Sequence, residues 1–196
     1  MSAAAALASA GFQVTLFEAS GYLGGRACSY PLAPGNAASP VIDNCRHILL
    51  GCCVNLMDFY RRLGVAGKIR FFREYFFMEP GGRVSVLKPS RLPAPLNLAG
   101  SFSRLRFLSL ASKWAVARAL AGIRREYGRR SGLDAITMAA WLREKQQPEE
   151  AIRRFWRPVI VSAANAAPEA VSAATGLQIF RLAFLDEPKN YELGVP

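Results

Sequence analysis

Apolar and polar positions change period several times along the chain. Residues 2–10 are almost all alanine, the strongest helix former, which predicts a short helix closed by Gly11. Residues 13–17, Gln-Val-Thr-Leu-Phe, are β-branched and aromatic and predict a strand ending at Glu18. A helix, a glycine and a strand in tight succession form the αβ half of a βαβ unit. Residues 20–40, rich in Gly, Pro, Ser and Ala, predict a long loop, and 41–44 a short extended piece. Leu56, Phe59, Tyr60 and Leu63 then recur at i, i+3, i+4 and i+7, predicting a helix over 53–63 that ends at Gly64.

The second half is mostly helical in pattern. Residues 70–78 and 83–87 flank Glu79-Pro80-Gly81-Gly82 and predict a β-hairpin over about 70–88. The proline-rich stretch 88–100 predicts a loop. From 103 to 125, Leu105, Leu108, Ser112, Ala115 and Ala119 share one helical face while arginines and lysines decorate the others. Asp134 is the expected cap of a helix over 135–146, and Pro148 the expected opening of the next. Pro158 should bend or break that helix. Residues 168–185 predict a last helix, and 190–196 no regular element. These elements divide the chain into 1–52 and 53–196, an α/β segment followed by a hairpin and a helix-rich region.

Composition narrows the class. With 52% hydrophobic and 11% aromatic residues, the chain can bury a core. No apolar run reaches the ~18 residues of a spanning helix, and the apolar N-terminus lacks the basic stretch of a signal peptide. A cytoplasmic protein is expected. The excess of 25 basic over 14 acidic residues attracts polyanions. No nucleic-acid module accompanies it, so nucleic acid is not the expected partner. Arg104, Arg106, Lys113, Arg118, Arg124, Arg125, Arg129 and Arg130, interleaved with Leu105, Phe107, Leu108 and Trp114, read either as a solvated basic face or as an interfacial helix on the inner face of the plasma membrane. Cys28, Cys45, Cys52 and Cys53 contain no Cys-x-x-Cys pair and there is one histidine, so no metal is expected and the thiols read as reduced.

The chemistry-bearing residues cluster early. A carboxylate at the end of a strand, here Glu18, is what accepts ribose hydroxyls in a dinucleotide site. Gly24 and Gly25 allow close backbone approach to an anion, and Arg26 can pair with phosphate. Together, Val-Thr-Leu-Phe-Glu-Ala-Ser-Gly-Tyr-Leu-Gly-Gly-Arg-Ala, residues 14–27, resembles the segment that follows the glycine-fingerprint helix in the FAD-dependent amine oxidase and carotenoid (phytoene) desaturase superfamily. The resemblance implies an incomplete Rossmann-like FAD-binding unit, with Glu18 and Ala19 at the ribose and Gly24, Gly25 and Arg26 along the pyrophosphate. Asp43 and Asn44 would lie near the flavin.

Further along, residues 43–71, 78–113 and 155–185 look like the squalene-associated branch of that superfamily, the hydroxysqualene dehydroxylases. Here the branch's usual Gly-Gln before the histidine is Cys45-Arg46. The branch implies removal of an allylic hydroxyl from a long-chain isoprenoid with reduced FAD, and hence an acid at the leaving oxygen and a dry tunnel. His47 is the candidate acid. The aromatic run 71–77 would line the tunnel or fill the hairpin core. A carotenoid desaturase, an amine-oxidase-type flavoprotein and a non-enzymatic basic binding domain are the alternatives. The glycine fingerprint is absent from these 196 residues and would precede Met1, and the end that completes such a FAD domain is missing too. The chain is therefore expected to be a portion that binds FAD weakly or not at all and has impaired activity.

Overall fold

The computed structural model describes residues 1–25, 27–44 and 48–196. Along the chain run α1 (Ser2–Ser9), β1 (Ser29–Pro31), β2 (Val41–Asp43), β3 (Leu49–Leu50), α2 (Val54–Arg62), β4 (Arg70–Phe72), β5 (Tyr75–Met78), β6 (Val84–Leu87), α3 (Ala99–Ser103), α4 (Leu110–Glu126), α5 (Met138–Glu144), α6 (Glu149–Ala151), α7 (Arg157–Ala164), α8 (Ala173–Phe180) and β7 (Leu193–Val195). Helix and strand are mixed, as an α/β fragment requires. The residues fall into two compact units. One comprises Met1–Leu49, Val54–Arg70 and Gly194–Pro196, the other Leu50–Cys53 and Phe71–Leu193. Val54–Arg70 thus returns to the first unit, beyond the sequence boundary at residue 52.

In the first unit, α1 and α2 end alike. After α1, Phe12 N–H donates to Leu7 O and Gly11 N–H to Ala8 O, with Gly11 at φ +86°. After α2, Val65 N–H donates to Tyr60 O and Gly64 N–H to Arg61 O, with Gly64 at φ +70°. Both are six-to-one closures that use glycine's freedom at positive φ. The strand expected over 13–17 does not form. The segment runs without a ladder partner among the described residues, and Phe17 is 91% exposed. A strand needs a neighbour to take its N–H and C=O groups, and propensity alone does not supply one. The loop expected over 20–40 contains β1, which pairs antiparallel with β2, Ser29 opposite Asp43.

In the second unit, β5 and β6 form the expected hairpin, Tyr75 opposite Leu87 and Met78 opposite Val84. Arg70–Phe72 is not part of it. That strand lies in a three-stranded sheet ordered β3-β7-β4, so the chain's end is a strand after all. The core is helical. Helix α4 begins at Ser109, whose hydroxyl accepts Ser112 N–H, and not at residue 103, because Leu105, Phe107 and Leu108 are turned into a second apolar cluster by a non-helical link. Thr137, not Asp134, caps α5 by accepting Ala140 N–H, since it alone stands next to the first turn; Asp134 accepts Ser172 Oγ–H instead. Pro158 does not break its helix. The turn Ile152–Trp156 widens to a π-turn and the helix continues through α7, which accommodates a residue without an N–H.

Trp141, Trp156 and Phe180 are fully buried, with Trp156 edge-on to each of the other two. Their polar atoms are satisfied: Trp156 Nε1 donates to Gln147 Oε1 at 2.8 Å, Gln147 Nε2 to Ala115 O at 2.9 Å, and Trp141 Nε1 to Glu126 Oε2 at 2.9 Å.

Candidate functional site: a nucleotide cleft and an apolar cavity

Within the first unit a cleft of 650 Å³ is lined by Met1, Ser2, Leu16, Phe17, Glu18, Leu23, Gly24, Gly25, Asn55, Leu56 and Phe59. Three of the residues singled out in the sequence, Glu18, Gly24 and Gly25, meet here, together with the N-terminus of α1. The first N–H groups of a helix have no partner inside it and carry its positive end. Glu18 Oε1 accepts Ser20 N–H at 2.8 Å. That bond, with one from the Ser20 side chain, lowers the Glu18 pKa, so the group is an ionised acceptor with lone pairs to spare. Gly24 sits at φ +117°, and a Cβ there would stand 2.6 Å from Ala27 O. A carboxylate, bare backbone and a helix N-terminus on one cleft form the donor and acceptor set of a ribosyl pyrophosphate.

The other expected site residues are placed differently. Ala19 adjoins Glu18 but does not line the cleft. Asp43 is on β2, where Oδ1 accepts the Ser29 hydroxyl at 2.5 Å, and Asn44 N–H donates to Cys28 O at 2.9 Å; both serve the β1–β2 pair and lie outside the cleft wall. Arg26 and His47 lie outside the described residues. Cys28, Cys52 and Cys53 are free thiols, with Cys52 pushed up by burial. No metal-binding cluster occurs among the described residues.

The second unit encloses a cavity of 490 Å³. Its walls come from several elements: Tyr75 and Phe77 of the hairpin, Leu98 and Phe102 around α3, Leu120 of α4, Phe155 of the π-turn. The hairpin's alternation explains the first pair. Tyr75 and Phe77 face inward while Phe76 and Met78 are exposed. Three of the four polar side chains in the wall are already engaged, and the fourth, Arg124, is exposed. Tyr75 Oη donates to Tyr191 O, Ser162 Oγ to Val159 O at 2.9 Å, and Arg154 Nη1 to Phe107 O at 2.7 Å. Burial pushes the Tyr75 phenol pKa well above its ordinary value. Among the described residues the wall holds no Asp, Glu, His, Lys or Cys. The cavity therefore offers a hydrocarbon surface and no acid or base of its own, and its size is that of a ligand site (~300–1,000 Å³). Sequence reasoning found Tyr75 and Phe77 as an aromatic cluster, but missed Leu98, Phe102, Leu120 and Phe155, whose spacing is that of ordinary core positions.

The first unit carries a cleft with a carboxylate and glycine backbone, the second an apolar cavity, and sequence comparison assigns the family. The chain matches the flavin containing amine oxidoreductase family over residues 1–191 and belongs to it. FAD is the cofactor that membership implies, and the cleft residues fit its ADP half. Zeta-carotene desaturase of Synechocystis sp. is 29% identical over 193 residues, 93% of this chain and 39% of that protein. The chloroplastic/chromoplastic enzyme of Zea mays is 29% identical over 194 residues, 93% of this chain and 33% of that protein. The chain thus spans between a third and two fifths of the length of these relatives. The matches favour the carotenoid desaturase alternative over the hydroxysqualene branch expected from the sequence.

Proposed function

We propose that this chain is part of an FAD-dependent oxidoreductase that desaturates a long isoprenoid hydrocarbon. The observation that carries the flavin half is the cleft joining Glu18, Gly24 and Gly25 to the N-terminus of α1. In this reading the Glu18 carboxylate accepts the adenosine ribose hydroxyls, and Ala19 follows it along the ribose. The Gly24–Gly25 backbone and the α1 N–H groups receive the pyrophosphate, with Arg26 as its counter-charge. The segment 13–18 would be the second strand of a Rossmann-like unit. Asp43, Asn44 and His47 belong to the flavin side. Bound FAD supplies a two-electron acceptor, which no side chain of this protein provides.

The substrate half rests on the cavity. A substrate with a hydroxyl to be expelled needs an acid at the leaving oxygen. The only ionisable hydroxyl in the wall, Tyr75, is spent on the Tyr191 carbonyl and held far above neutral pH. A pure hydrocarbon requires nothing but apolar contact and exclusion of water, which Phe77, Phe102, Leu120 and Phe155 provide. The apolar wall and the zeta-carotene desaturases among the relatives support desaturation.

Anisotropy of FAD fluorescence tests the flavin half. ADP should displace FAD and FMN should not, because the cleft reads the adenosine side. Glu18→Ala should weaken FAD by about tenfold or more, the worth of hydrogen bonds to a charged acceptor, about 1.5–3 kcal/mol. Equal competition by FMN, or unchanged affinity in Glu18→Ala, would overturn the assignment.

A further inference from the structure

The two helical walls of the apolar cavity start together. Glu150 Oε2 accepts Ser109 N–H at 3.1 Å and the Ser112 hydroxyl at 2.5 Å, which ties the start of α6 to the start of α4. From there α4 presents Ala117, Leu120, Ala121 and Arg124 to the cavity. The helix that runs from α6 through the π-turn into α7 presents Phe155, Pro158, Val159 and Ser162. Both rows have the spacing i, i+3, i+4, i+7, so each is one face of its helix, and both end on a polar residue, Arg124 and Ser162.

These two differ from the other polar groups of the wall. Arg154, near the shared start, is held: its Nη1 donates to Phe107 O at 2.7 Å and stands 3.8 Å from Glu150 Oε1. Tyr75 Oη is spent on Tyr191 O. Arg124 is exposed, and no hydrogen bond or ion pair engages it among the described residues. Ser162 is exposed as well, its hydroxyl resting on the neighbouring Val159 O at 2.9 Å. With no carboxylate in the wall among the described residues, a guanidinium without a counter-charge stands at the edge of 490 Å³ of apolar space.

We infer that this cavity binds a long-chain carboxylate, a free fatty acid, with the head group on Arg124 and the hydrocarbon chain along Leu120 and Phe155. Charge complementarity sets the head group. A guanidinium gives a carboxylate two parallel N–H bonds and cancels its single charge. A diphosphate would bring more charge than Arg124 can meet, since Arg154 is already held. The volume sets the chain: 490 Å³ lies in the lower half of the ~300–1,000 Å³ of small-molecule sites, room for one chain and not several. The Ser162 hydroxyl can turn from Val159 O to the second carboxylate oxygen. A fatty acid so placed fills the space that a hydrocarbon substrate needs and competes with it. The site lies within Phe71–Leu193 and requires neither bound flavin nor a particular hydrocarbon.

Displacement of Nile red, a neutral apolar dye, from the full chain tests this, with sodium oleate, oleyl alcohol and oleylamine each kept below its micelle concentration. The three share one chain and differ in head group, so apolar burial is common to them. Oleate should displace the dye best. Arg124→Gln should weaken oleate about fivefold, the upper worth of an exposed ion pair, and leave oleyl alcohol unchanged. Arg124→Lys should recover part of the loss. Arg118→Gln removes an equally exposed arginine that does not line the cavity and should change nothing. Near-ultraviolet circular dichroism checks that each variant keeps its core. Equal displacement by the three head groups, unchanged oleate affinity in Arg124→Gln, or equal losses in Arg124→Gln and Arg118→Gln would overturn the inference. The hydrocarbon reading has a separate readout, because displacement by oleyl alcohol reports the apolar cavity whatever happens at Arg124.

Discussion

The backbone at Gly24 can be tested against that at Gly25. In Gly24→Ala the new Cβ would meet Ala27 O at 2.6 Å, closer than a real Cβ stands to an oxygen, at a φ of +117° that side chains rarely adopt. Ala27 O is held there by the turn in which Ala27 N–H donates to Gly24 O at 3.1 Å. Alanine must therefore either bear a strain of about 1–3 kcal/mol or open the turn and lose a bond worth about 1 kcal/mol. Either route moves the backbone that lines the cleft. An expected loss of about 2 kcal/mol corresponds to roughly 30-fold weaker FAD binding. Gly25→Ala is the control. Its φ of +63° lies in the left-handed region and its Cβ meets nothing within 4 Å. About 1 kcal/mol is expected there, and less than a tenfold effect. FAD anisotropy gives the affinities, and near-ultraviolet dichroism of the three tryptophans, all in the second unit, reports that the rest of the fold is unchanged. If Gly25→Ala weakens FAD as much as Gly24→Ala, or if Gly24→Ala binds normally, the backbone at Gly24 does not shape the site.

Three further outcomes are expected. Glu150 accepts Ser109 Oγ–H at 2.6 Å and Ser112 Oγ–H at 2.5 Å, and these bonds lower its pKa from 4.5 to about 2. A folded-state value below the unfolded one stabilises above pH 4.5, and the effect disappears as pH falls toward 2; the ceiling of about 3 kcal/mol is cut by solvent screening to about 1 kcal/mol. Glu150→Gln should thus lower Tm by about 2–4 °C at pH 7 and by progressively less down to pH 2, and a pH-independent difference would refute the linkage. Gly176→Ala places a Cβ 2.5 Å from buried Met138 Sδ and should cost about 1–3 kcal/mol in urea unfolding, relieved when combined with Met138→Ala; additive losses would argue against this contact. Ala121 is exposed and lines the cavity, so Ala121→Phe should obstruct it and reduce binding of an apolar fluorescent dye severalfold with Tm unchanged, whereas undiminished dye binding would show that the dye binds elsewhere.

How far the sequence disclosed this molecule depended on the range of the interaction involved. Helix α2 and its stop at Gly64, the hairpin turn at Gly81–Gly82 and the inward face of α4 are set by residues within one or two turns of each other, and each was legible. The helix start was not. Asp134 and Thr137 are both capping residues, and the choice fell to Thr137 because Met138 N–H bonds to Val171 O, a partner 33 positions away. The strand over 13–17 failed for the same reason in reverse. Its composition is right, but without a neighbour it remains an extended segment. Glu18, Gly24 and Gly25 stood out only through the resemblance of residues 14–27 to a family segment, since a carboxylate after an extended run and a Gly-Gly turn are each ordinary. That they share a cleft with the start of α1 depends on tertiary placement, which the motif does not encode.

The cavity shows why chemistry reads more easily than substrate. A cofactor's phosphates and ribose demand charge, hydrogen bonds and glycine, and each leaves a mark in the alphabet of the sequence. A hydrocarbon demands only that apolar side chains fail to close on one another. Tyr75, Leu98, Phe102, Leu120 and Phe155 come from four separate stretches, and each is the residue type that a filled core would also use. Nothing in the spacing distinguishes a core that closes from one that leaves 490 Å³ open. What separates the two readings is the polar inventory of the wall. A filled core tolerates buried polar groups once they are paired, and so does this wall, but a site that must expel hydroxide cannot do without a free acid. Among the described residues the wall carries a Tyr75 hydroxyl already bonded to Tyr191 O and no carboxylate or imidazole, so a site that expels hydroxide would have to draw its acid from elsewhere.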